Sequence, residues 1–243
     1  MCSSDLTGTQ KAQEQIAALP EVKVLRMDQD STLRKFAHEE ILSAFGSGKY
    51  NVLIGTQMVA KGHDIPNVTL VGVLSADSAL NMPDFRASER AFSLLTQAAG
   101  RAGRGDKPGH VILQVYDADN RTVHLAAAQD YDTFAQEELE RRRELKYPPY
   151  AAFLKITVWD KDEARANATA QELADFLQSV AKDRDGAEVY GPFAGIIGKV
   201  RDLYRVNVLV KSAEIGVFKQ TLWDSPYRDM KNVYFDVDPF NVL

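Results

Sequence analysis

The sequence predicts an α/β protein in two parts, a parallel sheet flanked by helices and then a smaller α+β domain. Three observations carry this. Short apolar runs closed by glycine or turn residues alternate with helical patterns from the N-terminus to about residue 118, the signature of a parallel sheet with crossover helices. The segment Tyr147-Pro148-Pro149-Tyr150 then stops a polar helical stretch, because a residue that precedes proline is pushed out of the α region. Beyond it the patterns follow the order βαββαβ, the ferredoxin-like plan.

The elements follow in order. Residues 9 to 20 read as a helix, and Val22-Lys23-Val24-Leu25-Arg26 as a short strand after Pro20. A second helix is predicted from about Thr32 to Phe45, with Leu33, Phe36, Ile41, Leu42 and Phe45 at helical spacing, broken by Gly46-Ser47-Gly48. Asn51-Val52-Leu53-Ile54, closed by Gly55, reads as a buried parallel strand. Val68 to Leu74 and His110 to Val115 repeat that signature, with a helix from about Asp84 to Ala99 between them. Val52, Leu53, Ile54, Val71 and Val73 are the expected core of this part. Residues 121 to 146 are a polar helix or helix pair. The second part is read as strand 151–159, helix 162–181, strand 187–198 broken by glycines, strand 203–211, helix 213–223 and strand 231–237. The expected organisation is residues 1–120 as the first domain, 121–150 as a helical linker and 151–243 as the second domain. Trp159 and Trp223 are expected in or at the edge of the core.

Composition narrows the class without naming the function. Of 243 residues, 45% are apolar and 26% charged, which suits a globular protein with a sizeable core. No run approaches the roughly 18 apolar residues of a membrane span, and the start, Met1-Cys2-Ser3-Ser4-Asp5-Leu6, has no signal-peptide pattern. Membrane partners are not expected. The one cysteine, Cys2, excludes an internal disulfide or a cysteine-built zinc site and suits the reducing cytoplasm. A net charge of −5 argues against a basic nucleic-acid coat, though a local groove can still be basic.

The strongest chemical signal is Gln97-Ala98-Ala99-Gly100-Arg101-Ala102-Gly103-Arg104-Gly105. Two arginines three apart at a helix end, flanked by glycines, can reach one anion, and the guanidinium donor fork matches phosphate. Alone, such a stretch also fits a solvated turn. Some 40 residues upstream a strand opens into Gly55-Thr56, followed by Lys61-Gly62-His63-Asp64-Ile65-Pro66. A small hydroxyl residue after a buried strand can touch a nucleic-acid phosphate. An acid after glycine at the carboxyl edge of a parallel sheet can bond a ribose or a magnesium-bound water. Singly, Thr56 and Asp64 are ordinary turn formers; the ordered combination is what carries weight. His63 has no second histidine or cysteine at ligand spacing and reads as a loop residue.

These two blocks resemble motifs V and VI of superfamily 2 helicases, which lie on the second RecA-like lobe. The resemblance narrows with Asp77, Leu80-Asn81-Met82-Pro83-Asp84-Phe85-Arg86-Ala87-Ser88-Glu89-Arg90, Glu140-Arg141-Arg142-Arg143, Tyr147-Pro148-Pro149-Tyr150 and Asp236-Val237-Asp238-Pro239. From about Gly8 onward the chain resembles the primosomal protein N′ (PriA) family of replication-restart DNA helicases. That resemblance implies ATP-dependent 3′-to-5′ unwinding in primosome assembly at stalled forks. It implies Arg104 as arginine finger beside Arg101, Gln97, Gly62 and Asp64 near ATP, and Thr56 and Lys61 on the DNA backbone. It also implies ATP and Mg²⁺ as cofactors, held mainly by another lobe. Zinc is expected of the family but not of this chain. Forked and single-stranded DNA, single-strand-binding protein and other primosome proteins are the implied partners, of a monomer.

Asp84, Arg86, Glu89 and Arg90 read as a structural ion network rather than as site residues. Lys199, Arg201, Tyr204, Arg205 and Lys211 form a basic and aromatic cluster that suits either DNA binding or a solvated strand face. Asp236 and Asp238 share one face of a strand and fit a strand end closed by Pro239 better than an acid pair. Gly46-Ser47-Gly48-Lys49 has the wrong spacing for a phosphate-binding loop and precedes a strand, so no Gly-x-x-x-x-Gly-Lys-Ser/Thr loop is present. The expectation is therefore a C-terminal fragment of a longer helicase, inactive on ATP by itself. Two other readings stand beside it: a non-catalytic DNA-binding or primosome adaptor, and the second lobe of a different motor.

Overall fold

In a computed structural model of the protein, residues 8–27, 37–56, 68–82, 84–103, 108–239 and 242 are described. The chain divides into two compact units, Met1–Asn81 with Ser88–Tyr131, and Met82–Ala87 with Asp132–Leu243. The polar helical stretch is split between them.

The first unit contains α1 (Thr9–Ala17), β1 (Val24–Met27), α2 (Ala37–Gly46), β2 (Val52–Gly55) and β3 (Leu70–Val73). A 3₁₀ turn (Ser78–Asn81), α3 (Ala87–Ala99), β4 (His110–Leu113) and α4 (Arg121–Ala128) follow. Strands β1 and β2 pair in parallel, with Val24 opposite Val52 and Met27 opposite Gly55. Strands β3 and β4 also pair in parallel, with Leu70 opposite His110. Parallel strands need a crossover, and the helices between them supply it. Asn51 fixes the entrance of β2: its Oδ1 accepts from the Lys23 amide at 2.7 Å and its Nδ2 donates to the Glu21 carbonyl at 2.9 Å. Among the described residues the four strands form two separate pairs.

That separation corrects the expected core. Val52, Leu53, Ile54, Val71 and Val73 are half-buried, and Leu70 and Ile112 are exposed. Among the described residues each of these strands has one paired neighbour, and its apolar side chains do not reach full burial. The buried residues of this unit instead lie mostly on helices, among them Ala91, Phe92, Leu95 and Ala98 of α3, which recur at helical spacing. Gly46-Ser47-Gly48 ends α2: the Ser47 and Gly48 amides donate to the Ser43 and Phe45 carbonyls, and Gly48 has φ +75°. This is a helix C-terminus, whose outward groups are carbonyls, so it cannot cradle a phosphate.

The second unit holds α5 (Tyr131–Glu144), β5 (Ala152–Asp160), α6 (Glu163–Ala181), β6 (Glu188–Val200), β7 (Leu203–Ser212), α7 (Ile215–Trp223), a 3₁₀ turn (Pro226–Asp229) and β8 (Val233–Val237). Its strands run in the order β6-β7-β5-β8, all antiparallel. With two helical crossovers this is the ferredoxin-like arrangement the element order predicts. Period-two alternation puts Leu154, Ile156 and Val158 of β5 and Val206, Val208 and Val210 of β7 on one face. That face packs on Ala166, Ala170, Leu173, Ala174 and Leu177 of α6 and on Phe218 and Leu222 of α7. Asp162 starts α6 by accepting from the amides of Ala164 (2.9 Å) and Arg165 (3.2 Å). Trp159 is half-buried, whereas Trp223 is 57% exposed, because it is the last residue of α7 and lies under the Arg228 guanidinium, 4.0 Å from the ring centre. Among the described residues no helix is long and apolar enough to cross a membrane.

Candidate functional site

The carboxyl ends of β3 and β4 are tied together by one side chain. Asp77 Oδ2 accepts from the backbone amides of Tyr116 (2.8 Å) and Asp117 (3.1 Å), just beyond β4. The Ala76 amide adds a bond to the Gln114 carbonyl at 2.8 Å. Burial pushes the Asp77 carboxyl up, but the amides of Asp117 and Tyr116 outweigh it and hold it below its ordinary value. Asp77 is 5% exposed, and among the described residues its Oδ1 has no hydrogen-bond partner. The sequence marked Asp77 only as part of a motif; its role as a staple needs the β3–β4 register to be seen. In open α/β sheets ligands gather at these carboxyl ends.

Helix α3 carries the arginine block. Its buried stripe fixes its rotation and leaves Gln97 exposed, donating to Ser93 Oγ at 2.9 Å. Gly100 and Arg101 extend the helix end, their amides bonded to the carbonyls of Thr96 (2.9 Å) and Ala98 (3.1 Å). Gln97 and Arg101 are thus one turn apart, the spacing at which side chains meet. Arg101 is half-exposed. A helix C-terminus repels an anion through its carbonyl dipoles, so a phosphate here is served by the guanidinium and amide side chains and not by the backbone. Those groups fit the triphosphate end of a nucleotide. Among the described residues no group of three or more His, Cys, Asp or Glu side chains could hold a metal ion.

Thr56 is exposed directly after β2, as a DNA-phosphate contact requires. Lys61, Gly62, His63, Asp64 and Arg104 lie outside the described residues. Asp84 and Arg86 form an ion pair at 3.2 Å, and the Arg86 amide donates to Asp84 Oδ1 at 2.9 Å, just before α3.

In the second unit the basic cluster separates by strand alternation. Lys199 and Tyr204 are cross-strand partners, with the ammonium 4.7 Å from the ring centre. Arg205 points to the other face, where it stacks 5.3 Å from Trp159 and donates to the Ile197 carbonyl at 2.8 and 3.2 Å. Arg201 is exposed in the β6–β7 turn with φ +48°. Lys211 leaves the cluster altogether. It is 6% exposed, and its Nζ donates to Glu188 at 2.7 Å and to the Leu145 carbonyl at 3.1 Å. A buried ammonium keeps its charge only by such pairing. Asp236 faces Lys155 across β5–β8, while Asp238 turns out of the strand at φ +52°, its amide bonded to the Phe153 carbonyl, before the buried Pro239.

The geometry and two family matches define the class: the second, RecA-like lobe of a helicase joined to a ferredoxin-like domain. Residues 6–106 match the helicase conserved C-terminal domain, and residues 143–240 match the primosomal protein N C-terminal domain. The chain belongs to the replication restart protein PriA family, matching the C-terminal domain of that family and a helicase conserved C-terminal domain. It is 50% identical to the replication restart protein PriA of Bacillus subtilis over 206 residues, 84% of this chain and 25% of that protein. It is 36% identical to that of Synechocystis over 244 residues, 97% of this chain and 28% of the relative. The Haemophilus influenzae protein is 37% identical over 238 residues, 96% of this chain and 32% of the relative. The chain thus spans about a quarter to a third of the length of these relatives.

Proposed function

We propose that this chain supplies the arginine side of the ATP site and part of the DNA path of an ATP-dependent 3′-to-5′ superfamily 2 DNA helicase that acts in replication restart. The observation that carries the reading is the exposed Gln97 and the half-exposed Arg101 one turn apart at the end of α3. Three residues further along the sequence stands Arg104, the proposed finger. When bound, ATP with Mg²⁺ supplies the scissile phosphoanhydride and a counter-charge for its oxygens. The arginines neutralise charge that develops on the transferred phosphoryl group, with Gln97 as a polar contact. Gly62 and Asp64 stand by the nucleotide, and Thr56 and Lys61 grip the DNA backbone. Lys199, Arg201, Tyr204 and Arg205 engage DNA from the C-terminal domain. Forked and single-stranded DNA, single-strand-binding protein and other primosome proteins are the partners of this cytoplasmic monomer.

The test is ATP hydrolysis on forked DNA. The 243-residue chain alone should turn over no ATP, because its sequence holds no phosphate-binding loop. Mixing with a separately made motor half should restore turnover, and Arg104→Ala should cut it by about 10³-fold. Turnover by the pure chain, or near-normal turnover by Arg104→Ala in the restored complex, overturns the reading.

A further inference from the structure

The antiparallel sheet of the second unit has two unlike faces. Helices α6 and α7 pack on one of them. On the other, the strand register sets side chains in rows. Phe193, Asn207, Thr157 and Tyr234 lie side by side across β6, β7, β5 and β8, and Arg205 and Trp159 form the next row. Lys155 and Asp236 stand in the row on the opposite side of Thr157 and Tyr234.

A sheet face left to water is ordinarily polar at such positions. Here it carries rings. Tyr234 is 62% exposed, and Trp159 and Phe193 are half-buried. The floor between Phe193 and Tyr234 is polar, because Thr157 Oγ1 donates to Asn207 Oδ1 at 2.8 Å and both residues are buried. Cations flank the rings. The Arg205 guanidinium lies 5.3 Å from the centre of the Trp159 ring. Burial holds the Lys155 ammonium below its ordinary value; Asp236 opposes this, and the like charge of Arg205 adds to it. An anion near both would relieve that repulsion. The face is closed at its other end, where Phe153 meets Phe85 at 5.5 Å and Tyr147 at 5.9 Å.

Rings flanked by cations over a polar floor suit a single strand of DNA. Each base offers a flat face to a ring, and each phosphate an anion to a guanidinium or ammonium. A duplex keeps its base faces stacked on one another, out of reach. A docked protein would need an apolar centre, and the centre of this face is Thr157 and Asn207. Trp159 and Tyr234 are diagonal neighbours on adjacent strands, roughly 7–8 Å apart, so each can hold its own base. We propose that this face of the C-terminal domain binds single-stranded DNA, with Tyr234 and Trp159 stacking two bases and Arg205 and Lys155 holding the flanking phosphates. This rests on the DNA-binding part of the reading above and not on the ATP site.

The test measures binding of the 243-residue chain to oligo(dT), to a duplex of the same length and to a strand of abasic sites, which keeps the phosphates and lacks the bases. Trp223→Phe in the background leaves Trp159 as the one tryptophan. Oligo(dT) should quench Trp159 emission, and the abasic strand should not. Tyr234→Ala should weaken oligo(dT) binding about tenfold, the loss of one stacked base. Duplex and abasic binding should stay within about twofold, because both rest on phosphate contacts. Tyr234→Phe should keep the parent affinity, and neither variant should shift the melting temperature. Unchanged oligo(dT) affinity in Tyr234→Ala, an equal loss on the abasic strand, or Trp159 emission indifferent to oligo(dT) overturns the stacking face. A loss caused by Lys199→Ala and not by Tyr234→Ala also overturns it, while leaving the domain its DNA role. The opposite pattern keeps the face and removes the Lys199 contact from the reading above. These curves decide the proposal even if the restored motor turns over no ATP.

Discussion

The backbone of Gly109 lies against that of Gly103. A Cβ on Gly109 would stand 2.2 Å from the Gly103 amide nitrogen and 2.4 Å from the Ala102 carbonyl carbon. Gly103 itself has φ +79°, and its amide donates to the Val68 carbonyl at 3.0 Å. The two ends of the segment that carries Arg104 are thus in contact, and no side chain fits at the joint.

Gly109→Ala must push the joint apart, since both obstacles are backbone. The expected loss is about 1–3 kcal/mol, the usual cost of overpacking. In the restored complex it should also reduce ATP turnover more than ATP binding, because the turn at Ala102 and Gly103, next to Arg101, is pushed away from Gly109. Thermal melting and a kcat against KM comparison check this. Wild-type stability together with wild-type turnover would mean the joint is not tight in solution.

Asp77 offers a pH-dependent test. Its carboxylate is held below its ordinary value, so the unfolded chain takes up the proton more readily than the folded one. The stability it contributes is present above the ordinary aspartate range, near pH 4, and is lost as pH falls through the lower folded value. Asp77→Ala leaves the Tyr116 and Asp117 amides without their acceptor. The variant should melt several degrees lower at pH 7 and lose less than the parent between pH 5 and pH 3. Parallel melting curves for the two proteins across that range remove the staple.

Most of the fold was legible in the sequence because two periodicities wrote it. In the second unit the period-two runs at Leu154–Ile156–Val158 and Val206–Val208–Val210 and the helical stripe of α6 gave the elements almost to the residue. The site was legible in part. Gln97, Gly100 and Arg101 sit together because three and four residues make a turn, which is a local rule. The roles of Asp77, Phe85 and Lys211 were not legible. Each depends on a partner 39 to 68 residues away, or on ring stacking across elements, and local pattern does not encode such distances. Lys211 was drawn into the basic cluster by sequence proximity to Arg205, yet six residues along a strand put it at the far end of the ladder beside Glu188.

Lys211 ties β7 to Glu188 of β6 and to the Leu145 carbonyl after α5. Burial pulls the ammonium down, but the hydrogen bonds it donates to Glu188 and to Tyr190 outweigh it and raise it above its ordinary value. The hydrogen bond from Lys211 in turn holds the Glu188 carboxyl down. A raised lysine adds stability that is complete below its unfolded value, near pH 10.4, and lost as pH climbs through the folded one. A depressed glutamate adds stability above about pH 4.3 that is lost as pH falls. Lys211→Met keeps the apolar stem but strips Glu188 and Leu145 of their donor. It should cost about 1–3 kcal/mol at pH 7 and flatten the stability profile at both extremes, read from urea unfolding between pH 3 and pH 11. A profile that keeps the parent's shape would show that the pair does not form.

The two faces of the β6–β7 hairpin make different predictions for DNA. Lys199 is half-exposed above Tyr204, with Asp202 3.6 Å away as a weak competitor, so its ammonium can turn to a phosphate. Arg205 already gives two donors to the Ile197 carbonyl and its flat face to Trp159, so its removal loosens the hairpin as well as removing a charge. Lys199→Ala should therefore weaken forked and single-stranded DNA about equally, reduce the salt dependence of binding by about one counterion, and leave the melting temperature unchanged. Arg205→Ala should lower the melting temperature and quench or shift Trp159 emission even without DNA. Fluorescence anisotropy across a salt series separates the two. An unchanged salt slope in Lys199→Ala places the DNA path elsewhere on the domain. A stability loss in Arg205→Ala with no change in DNA affinity makes that residue a strut of the hairpin and takes it out of the binding surface.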